Sequence, residues 1–265
     1  MRRPSGPIRP GSTTSVPSVS EPLGYVSERQ PAMQGTSIWS PFSHVVRRLR
    51  EVVVDLTAAA RNGSPTVVDF GCADSPYRGL FTDATYVGVD FPGNEAATVH
   101  LRDDGTVPLP DGSADLVLST QVLEHVEDPA LYLDECARLL RPGGQLVLTT
   151  HGIMYLHRDP TDYWRWTCDG LARIVEQAGL EVVDQRGVLG LVGASLQLLL
   201  AGLGRRAPRR TRRLLIGAFQ VMIGVAERWT SETSRRENGL VLAVLAVKPG
   251  SDLHADATGV VGTGE

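Results

Sequence analysis

Cysteine is scarce in this chain, and its scarcity excludes two chemistries. The three residues, Cys72, Cys136 and Cys168, are odd in number and lack metal-ligand spacing, so they point to a reducing cytoplasm rather than a disulfide framework or a metal centre. Lysine is scarcer still: Lys248 is the only one, and arginine carries nearly all the positive charge. No apolar run reaches the roughly 20 residues that a membrane span requires. The opening residues contain none long enough for a signal peptide either. With 26 basic and 30 acidic residues the formal charge is -4, which argues against nucleic acid as a partner.

What the chain does have is the material of one enzyme-sized domain: 265 residues, 42% of them hydrophobic, with no interdomain linker in the middle. Residues 1–37, rich in Pro, Ser, Gly and Thr, read as a disordered arm, residues 38–248 as the domain, and residues 249–265 as a flexible tail. Apolar positions Phe42, Val45, Val46, Leu49, Val52, Val53 and Leu56 recur at helical spacing, which predicts a helix between Pro41 and Asn62 that packs beside the first strand. Strands are expected near 66–70, 86–90, 97–101, 115–119, 145–150, 181–187 and 240–247. Helical patterns separate most of them, one over Leu131–Leu140 ended by Arg141-Pro-Gly-Gly144 and one over Leu171–Ala178 ended by Gly179. Alternation of this kind predicts a Rossmann-like, doubly wound α/β sheet.

The run Thr66-Val-Val-Asp-Phe-Gly-Cys-Ala-Asp74 is a buried strand ending in a glycine turn, and nineteen residues after Gly71 the next apolar run closes on Asp90. Such a pair holds a nucleoside, the turn by close backbone approach and the carboxylate by two ribose hydroxyls. Only one of the three dinucleotide glycines is present, so the fitting ligand lacks a pyrophosphate. Downstream stand Val107-Pro-Leu-Pro-Asp-Gly-Ser-Ala-Asp115, Gln121-Val-Leu-Glu-His-Val126 and Leu140-Arg-Pro-Gly-Gly144. In that order and spacing, from about Val67 to Val247, the chain resembles the class I S-adenosylmethionine-dependent methyltransferases of the small-molecule type.

The resemblance implies S-adenosylmethionine as cofactor and a seven-stranded, mostly parallel sheet whose last strand inserts antiparallel between its neighbours. Around the cofactor it places Asp69, Gly71, Ala73, Asp74, Asp90, Phe91, Asp103, Asp104, Ser119 and Gln121. Asp69 fixes the turn or receives the methionine amino group, and Asp103 or Asp104 accepts from the adenine amine. Ala73 departs from the family pattern, which has glycine there, and Ser75-Pro-Tyr77 replaces the usual glycine continuation. That departure keeps open a non-catalytic, adenosyl-binding or membrane-docking partner built on the same fold.

Acceptor chemistry is expected beyond strands four and five. Methyl transfer is an in-line attack that needs an aimed nucleophile and, for a hydroxyl, a base. His151, directly after strand five, is the first candidate base and His157 the second, since a neutral histidine serves at pH 7. His125, Tyr163, Trp164 and Arg165 are expected to bind substrate; the Asp162-Tyr-Trp-Arg-Trp-Thr167 segment reads either as a substrate wall or as a cap on the next helix through Thr167, and its resemblance to one in a bacterial branch that acts on sugars or cell-surface intermediates favours the wall. No D/N-P-P-Y/F tetrapeptide follows strand four, which places O-methylation of a small molecule or glycan ahead of nucleic-acid methylation. Finally, residues 188–239 form an insertion before the last strand. Its 188–226 part holds two apolar segments around Arg205-Arg-Ala-Pro-Arg-Arg-Thr-Arg-Arg213, readable as a peripheral membrane contact at the inner face, a homodimer face or a lid over the substrate.

Overall fold

The computed structural model describes residues 37–61, 63–156 and 161–250. All but the last residue of the expected arm and all but the first two of the expected tail lie outside these. Seven strands form one sheet: β1 (Thr66–Phe70), β2 (Thr85–Asp90), β3 (Val99–His100), β4 (Ala114–Thr120), β5 (Leu140–His151), β6 (Glu181–Val188) and β7 (Val241–Val247), in the order β3-β2-β1-β4-β5-β7-β6. The first five pair in parallel, and β7 runs antiparallel to both β5 and β6. This is the Rossmann-like architecture expected from the alternating pattern and its resemblance. Strand order reverses between β1 and β4, which opens a crevice at their carboxyl ends.

Near-continuous apolar runs in the central strands mean that both faces are covered. Because successive side chains alternate, Val68, Phe70, Val117 and Leu148 face one core, with Leu133 of α2 (Pro129–Leu139) and Leu171 of α3 (Cys168–Gln177). Val67, Leu116, Leu118 and Val147 face the other, with Val45, Leu49 and Val53 of α1 (Ser43–Leu56). Local chemistry sets the helix starts. Asp128 caps α2 by accepting from the Ala130 and Leu131 amides, with Pro129 in the first turn, and the Thr167 hydroxyl caps α3 by accepting from the Gly170 amide.

Several expectations need correction. The first helix is shorter than Pro41–Asn62 and lies chiefly against β6, β7 and the insertion, reaching β1 only through the shared core at Val67. The third strand contracts to two residues at the sheet edge. Arg141-Pro-Gly-Gly144 follows the end of α2 but belongs to β5, where pairing with β4 jumps from Ala114↔Leu140 to Leu116↔Gln145. A side chain at Gly144 would place its Cβ 2.9 Å from the Arg141 carbonyl oxygen, so this irregularity requires glycine there.

The insertion holds three helices rather than two: α4 (Leu191–Gly204), α5 (Arg209–Arg228) and α6 (Glu232–Asn238). Arg209, Arg210, Arg212 and Arg213 therefore sit within the first turns of α5 and not in a connecting loop. The third helix escapes pattern reading because Glu-Thr-Ser-Arg-Arg-Glu-Asn has no apolar stripe; it is held by the buried Arg235, which bonds Glu227 Oε2 at 2.9 Å and the Glu227 carbonyl at 2.6 Å. Gln220 of α5 and Gln197 of α4 both donate to the Pro41 carbonyl, at 2.8 and 2.9 Å, and so fasten the insertion to the entry of α1.

Candidate active site

The turn after β1 is a close-approach turn in its backbone, although glycine occupies only its first position. Gly71, Ala73 and Ser75, at alternate positions, have φ of 81°, 46° and 53°. Left-handed backbone costs a residue with a Cβ roughly 1–2 kcal/mol, so Ala73 and Ser75 hold a glycine-type turn under strain. At Gly71 space forbids any side chain as well, since a Cβ would lie 2.5 Å from Val122 at the exit of β4. The turn is pinned by Gly71 and Cys72 amides donating to the Val89 carbonyl at 2.8 and 3.1 Å.

Asp90, at the end of β2, ties this turn to the next loop. Its Oδ2 accepts from the Ala73 amide at 2.9 Å and from the Asn94 side chain at 2.8 Å, and its Oδ1 accepts from the Phe91 amide at 2.7 Å. Asn94 also donates to the Ala73 carbonyl at 2.8 Å. Sequence reading missed Asn94, a loop residue outside any motif. Phe91 stands 67% exposed beside this carboxylate. Asp74, Asp103 and Asp104 are exposed too, but Asp104 is engaged by Thr106, whose amide and hydroxyl donate to it at 2.9 and 2.6 Å and hold its carboxyl below the usual range.

Asp69 is buried and accepts a hydrogen bond from the Tyr86 hydroxyl through Oδ2. Its Oδ1 has no hydrogen-bond partner among the described residues. Burial pushes the carboxyl up to about 7, with Asp90 adding to the rise against the opposing Tyr86 bond. Ser119, by contrast, is fully buried and committed to Tyr132, its hydroxyl 2.8 Å from the Tyr132 hydroxyl. It points into the core under α2, so the expected ligand contact is corrected: strand alternation turns it away from the crevice. Gln121 does reach the crevice mouth, in a left-handed conformation with φ of 57°, its amide donating to the Thr149 carbonyl at 2.8 Å.

Across the crevice, the Leu-Glu-His-Val segment and the aromatic loop, far apart in sequence, come together. Glu124 is fully buried; its Oε2 accepts from the Thr150 hydroxyl at 2.8 Å and its Oε1 lies 3.3 Å from His151 Nε2. Burial raises its carboxyl to about 7. The Glu124 carbonyl accepts from the Tyr163 amide at 2.8 Å, the Val126 carbonyl from the Trp164 indole at 2.8 Å, and the Thr161 carbonyl from His125 Nδ1. Arg165 closes the loop on itself: it pairs with the buried carboxylate of Asp162 at 2.5 Å and donates to the Met154 and Tyr155 carbonyls at 2.8 and 2.7 Å. Arg165 is thus a clamp within the loop, while Tyr163 and Trp164 keep 51% and 38% of their surface outside. The insertion reaches the same loop, with the Arg205 guanidinium 5.1 Å from the Tyr155 ring centre. His157 lies outside the described residues. Nothing in the sequence marks Glu124 as part of this cluster, because its burial depends on Thr150 and His151 of β5.

A cavity of about 310 Å³ opens at the opposite end of the strands, lined among others by Asp115 and Arg141. Those two pair with each other at 2.5 Å and Asp115 accepts from the Thr66 amide at 2.7 Å, so this cavity is a structural seam.

Residues 42–185, just over half of the chain, match the model of a family described as a methyltransferase domain. The chain belongs to this family. A probable S-adenosylmethionine-dependent methyltransferase of Mycolicibacterium smegmatis is 32% identical over 158 residues, covering 52% of this chain and 61% of that protein. A ubiquinone biosynthesis O-methyltransferase of Dinoroseobacter shibae is 36% identical over 97 residues, 28% of this chain and 37% of that one. The chain thus spans about three-fifths or less of these two relatives. The crystal structure of the four-plus-two cyclase SpnF shares the fold, with a TM-score of 0.52 at 18% identity over 81% of this chain and 85% of its own.

The methyltransferase domain has S-adenosylmethionine as its cofactor, and the residues present fit that molecule. Asp69 Oδ1, a buried acceptor with no partner among the described residues, beside a glycine turn, suits a cationic amino group. The exposed ring of Phe91 next to Asp90 suits a base above a ribose. That a cyclase shares the fold means that the reaction must be argued from residues and family, not from architecture.

Proposed function

We propose that the protein is an S-adenosylmethionine-dependent methyltransferase that methylates a hydroxyl oxygen of a small molecule, sugar or lipid-linked glycan. The observation that carries this reading is the Glu124–His151 pair, 3.3 Å apart and buried beneath the aromatic loop at the ends of β4 and β5. A hydroxyl must lose its proton as it attacks, whereas an amine can attack through a free lone pair, so an inbuilt carboxylate and histidine suit oxygen.

The cofactor supplies an electrophilic methyl carbon on a sulfonium sulfur. Asp90 holds the ribose diol, its carboxylate retaining acceptor capacity beyond the bonds to Ala73, Asn94 and Phe91. Asp69 receives the amino group, the strained turn at 71–75 lets the backbone approach, Gln121 borders the reacting end, and Asp103 or Asp74 closes the rim. Tyr163 and Trp164 present flat apolar faces of the kind that stack on a sugar or ring. His151 takes the acceptor proton, with Glu124 orienting it and stabilising the imidazolium that forms.

The test is transfer of labelled methyl from S-adenosylmethionine to a panel of hydroxylated glycans, phenols and polyols, followed by the linkage formed. An ether-linked label, lost when Glu124→Gln or His151→Ala is introduced, supports the reading. Label on nitrogen, or unchanged turnover in both variants at unchanged cofactor affinity, refutes it.

A further inference from the structure

The insertion carries a surface that neither the cofactor nor the acceptor uses. α4 reads Leu-Val-Gly-Ala-Ser-Leu-Gln-Leu-Leu-Leu-Ala-Gly-Leu-Gly, without a charge anywhere, and packs only one side inward through Ala194, Gln197 and Leu200. Its outward stripe, Leu191, Val192, Leu199 and Leu203, is 42–60% exposed. A helix apolar all round is normally buried on all sides; this one is not. α5 repeats the pattern. Ile216, Phe219 and Ile223 face inward, while Leu214, Val221, Met222 and Val225 stand 48–69% exposed on the opposite face and Trp229 87%.

Charge completes the picture. From Leu191 to Ala226 there is no acidic residue, and six arginines fall between positions 205 and 213, in a chain whose net charge is -4. Four of them crowd the first turns of α5, where the helix dipole already presents positive partial charge and cations are disfavoured. Among the described residues none of the six forms an ion pair; Arg205 and Arg213 lie over the Tyr155 and Trp39 rings instead. Arg209, Arg210 and Arg212, placed against their own helix dipole and in no ion pair among the described residues, suit an anionic surface outside the fold. No helix among the described residues is long and apolar enough to cross a membrane.

We propose that α4 and α5 dock the protein peripherally on an anionic lipid bilayer, the outward apolar stripes entering the headgroup boundary and Arg206, Arg209, Arg210 and Arg212 meeting lipid phosphates. Nucleic acid answers to the arginines alone and leaves the apolar stripes unexplained. A second copy of the chain answers to the stripes alone, since it would bring six arginines against six. The docking is independent of the methyl acceptor, although Arg205 on Tyr155 places the docked surface next to the acceptor loop.

The experiment is co-sedimentation of the full chain with vesicles of phosphatidylcholine alone or with about a third phosphatidylglycerol, at low and high salt. Binding to the anionic vesicles only, weakened at high salt, is expected. A variant with Arg206, Arg209, Arg210 and Arg212 all changed to Gln should lose at least tenfold in affinity, as should the triple variant Leu199→Ser, Val221→Ser, Val225→Ser. Both alter exposed side chains, and circular dichroism with S-adenosylmethionine binding verifies that each is folded. Absence of vesicle binding by the parent protein overturns the proposal, whether sedimentation velocity then shows a dimer dissociated by the triple variant or a duplex oligonucleotide is retained instead. Failure of methyl transfer to any hydroxyl leaves vesicle binding as expected, so the two proposals fail separately.

Discussion

On one side of the crevice, the core of the proposed cofactor wall comes from residues 69–94, and most of it is backbone: three left-handed residues, two amides on one carbonyl, one carboxylate braced by Ala73, Phe91 and Asn94. On the other side, the acceptor wall draws on residues 124–126, 150–156 and 161–166, joined by buried charge: Glu124 on His151 and Thr150, Asp162 on Arg165. A wall made of backbone tolerates changed side chains, as Ala73 and Ser75 demonstrate by occupying a glycine-type turn. A wall made of buried charges does not, because removing one partner takes away the interaction that offsets the other's desolvation. The two sides should therefore respond to mutation on different scales.

The largest effect is expected at the acceptor wall. His151→Ala should lower turnover by about 10²–10⁴-fold with cofactor affinity nearly unchanged, measured by single-turnover kinetics beside calorimetric titration of S-adenosylmethionine. Next is Arg165→Ala, which removes the paired guanidinium from the buried Asp162 carboxylate and its hydrogen bonds to the Met154 and Tyr155 carbonyls. A local loss of up to about 3–5 kcal/mol should appear as proteolysis within 152–167 and a raised acceptor KM. If either variant instead weakens cofactor binding as much as turnover, the two walls are one cooperative unit and the contrast fails.

Effects on the cofactor wall are smaller. Asp90→Ala should weaken S-adenosylmethionine by about 1.5–3 kcal/mol in a folded protein. Asp69 gives a pH signature. Burial lifts its carboxyl to about 7, so the folded state binds a proton that the unfolded state releases near the ordinary aspartate value. Stability is then greatest on the acid side of that window and declines as pH rises toward about 7, the sign opposite to that of a salt-bridged aspartate. A cationic amino group beside Asp69 would favour the ionised form, so cofactor affinity should increase from pH 6 to pH 8, and Asp69→Asn should flatten both curves. Smallest is Ala73→Gly. Relief of left-handed strain against added chain entropy leaves at most about 1 kcal/mol, read as a small rise in melting temperature with unchanged or tighter cofactor binding.

The cofactor wall was the more legible in sequence for the same reason that it is tolerant: it is local. Strand, turn and following carboxylate fit within 25 residues, and apolar runs bounded by Gly71 and Asp90 announce them. Ser119 misled because a strand's exit residue can face either core or crevice, and the difference is one step of alternation. Glu124 went unread because a glutamate in an apolar run carries no mark of burial until Thr150 and His151 are brought to it from β5. The insertion was visible as composition, but the boundary of α5 was not, because a run of arginines looks like a solvated loop whether or not it is helical.

The position of β7 bears on how the chain is made. The last strand of the sheet in sequence lies between β5 and β6, so β6 has no neighbour on the sheet until residue 247 has been synthesised. During translation the half from β1 to β5 can pair as it emerges, while β6 and the three insertion helices wait as a detached arm with an unpaired strand and bare leucines. Closure is then a single late event in which β7 enters a slot and zips seven residue pairs to β5 and seven to β6. Any delay in that step leaves aggregation-prone surface waiting.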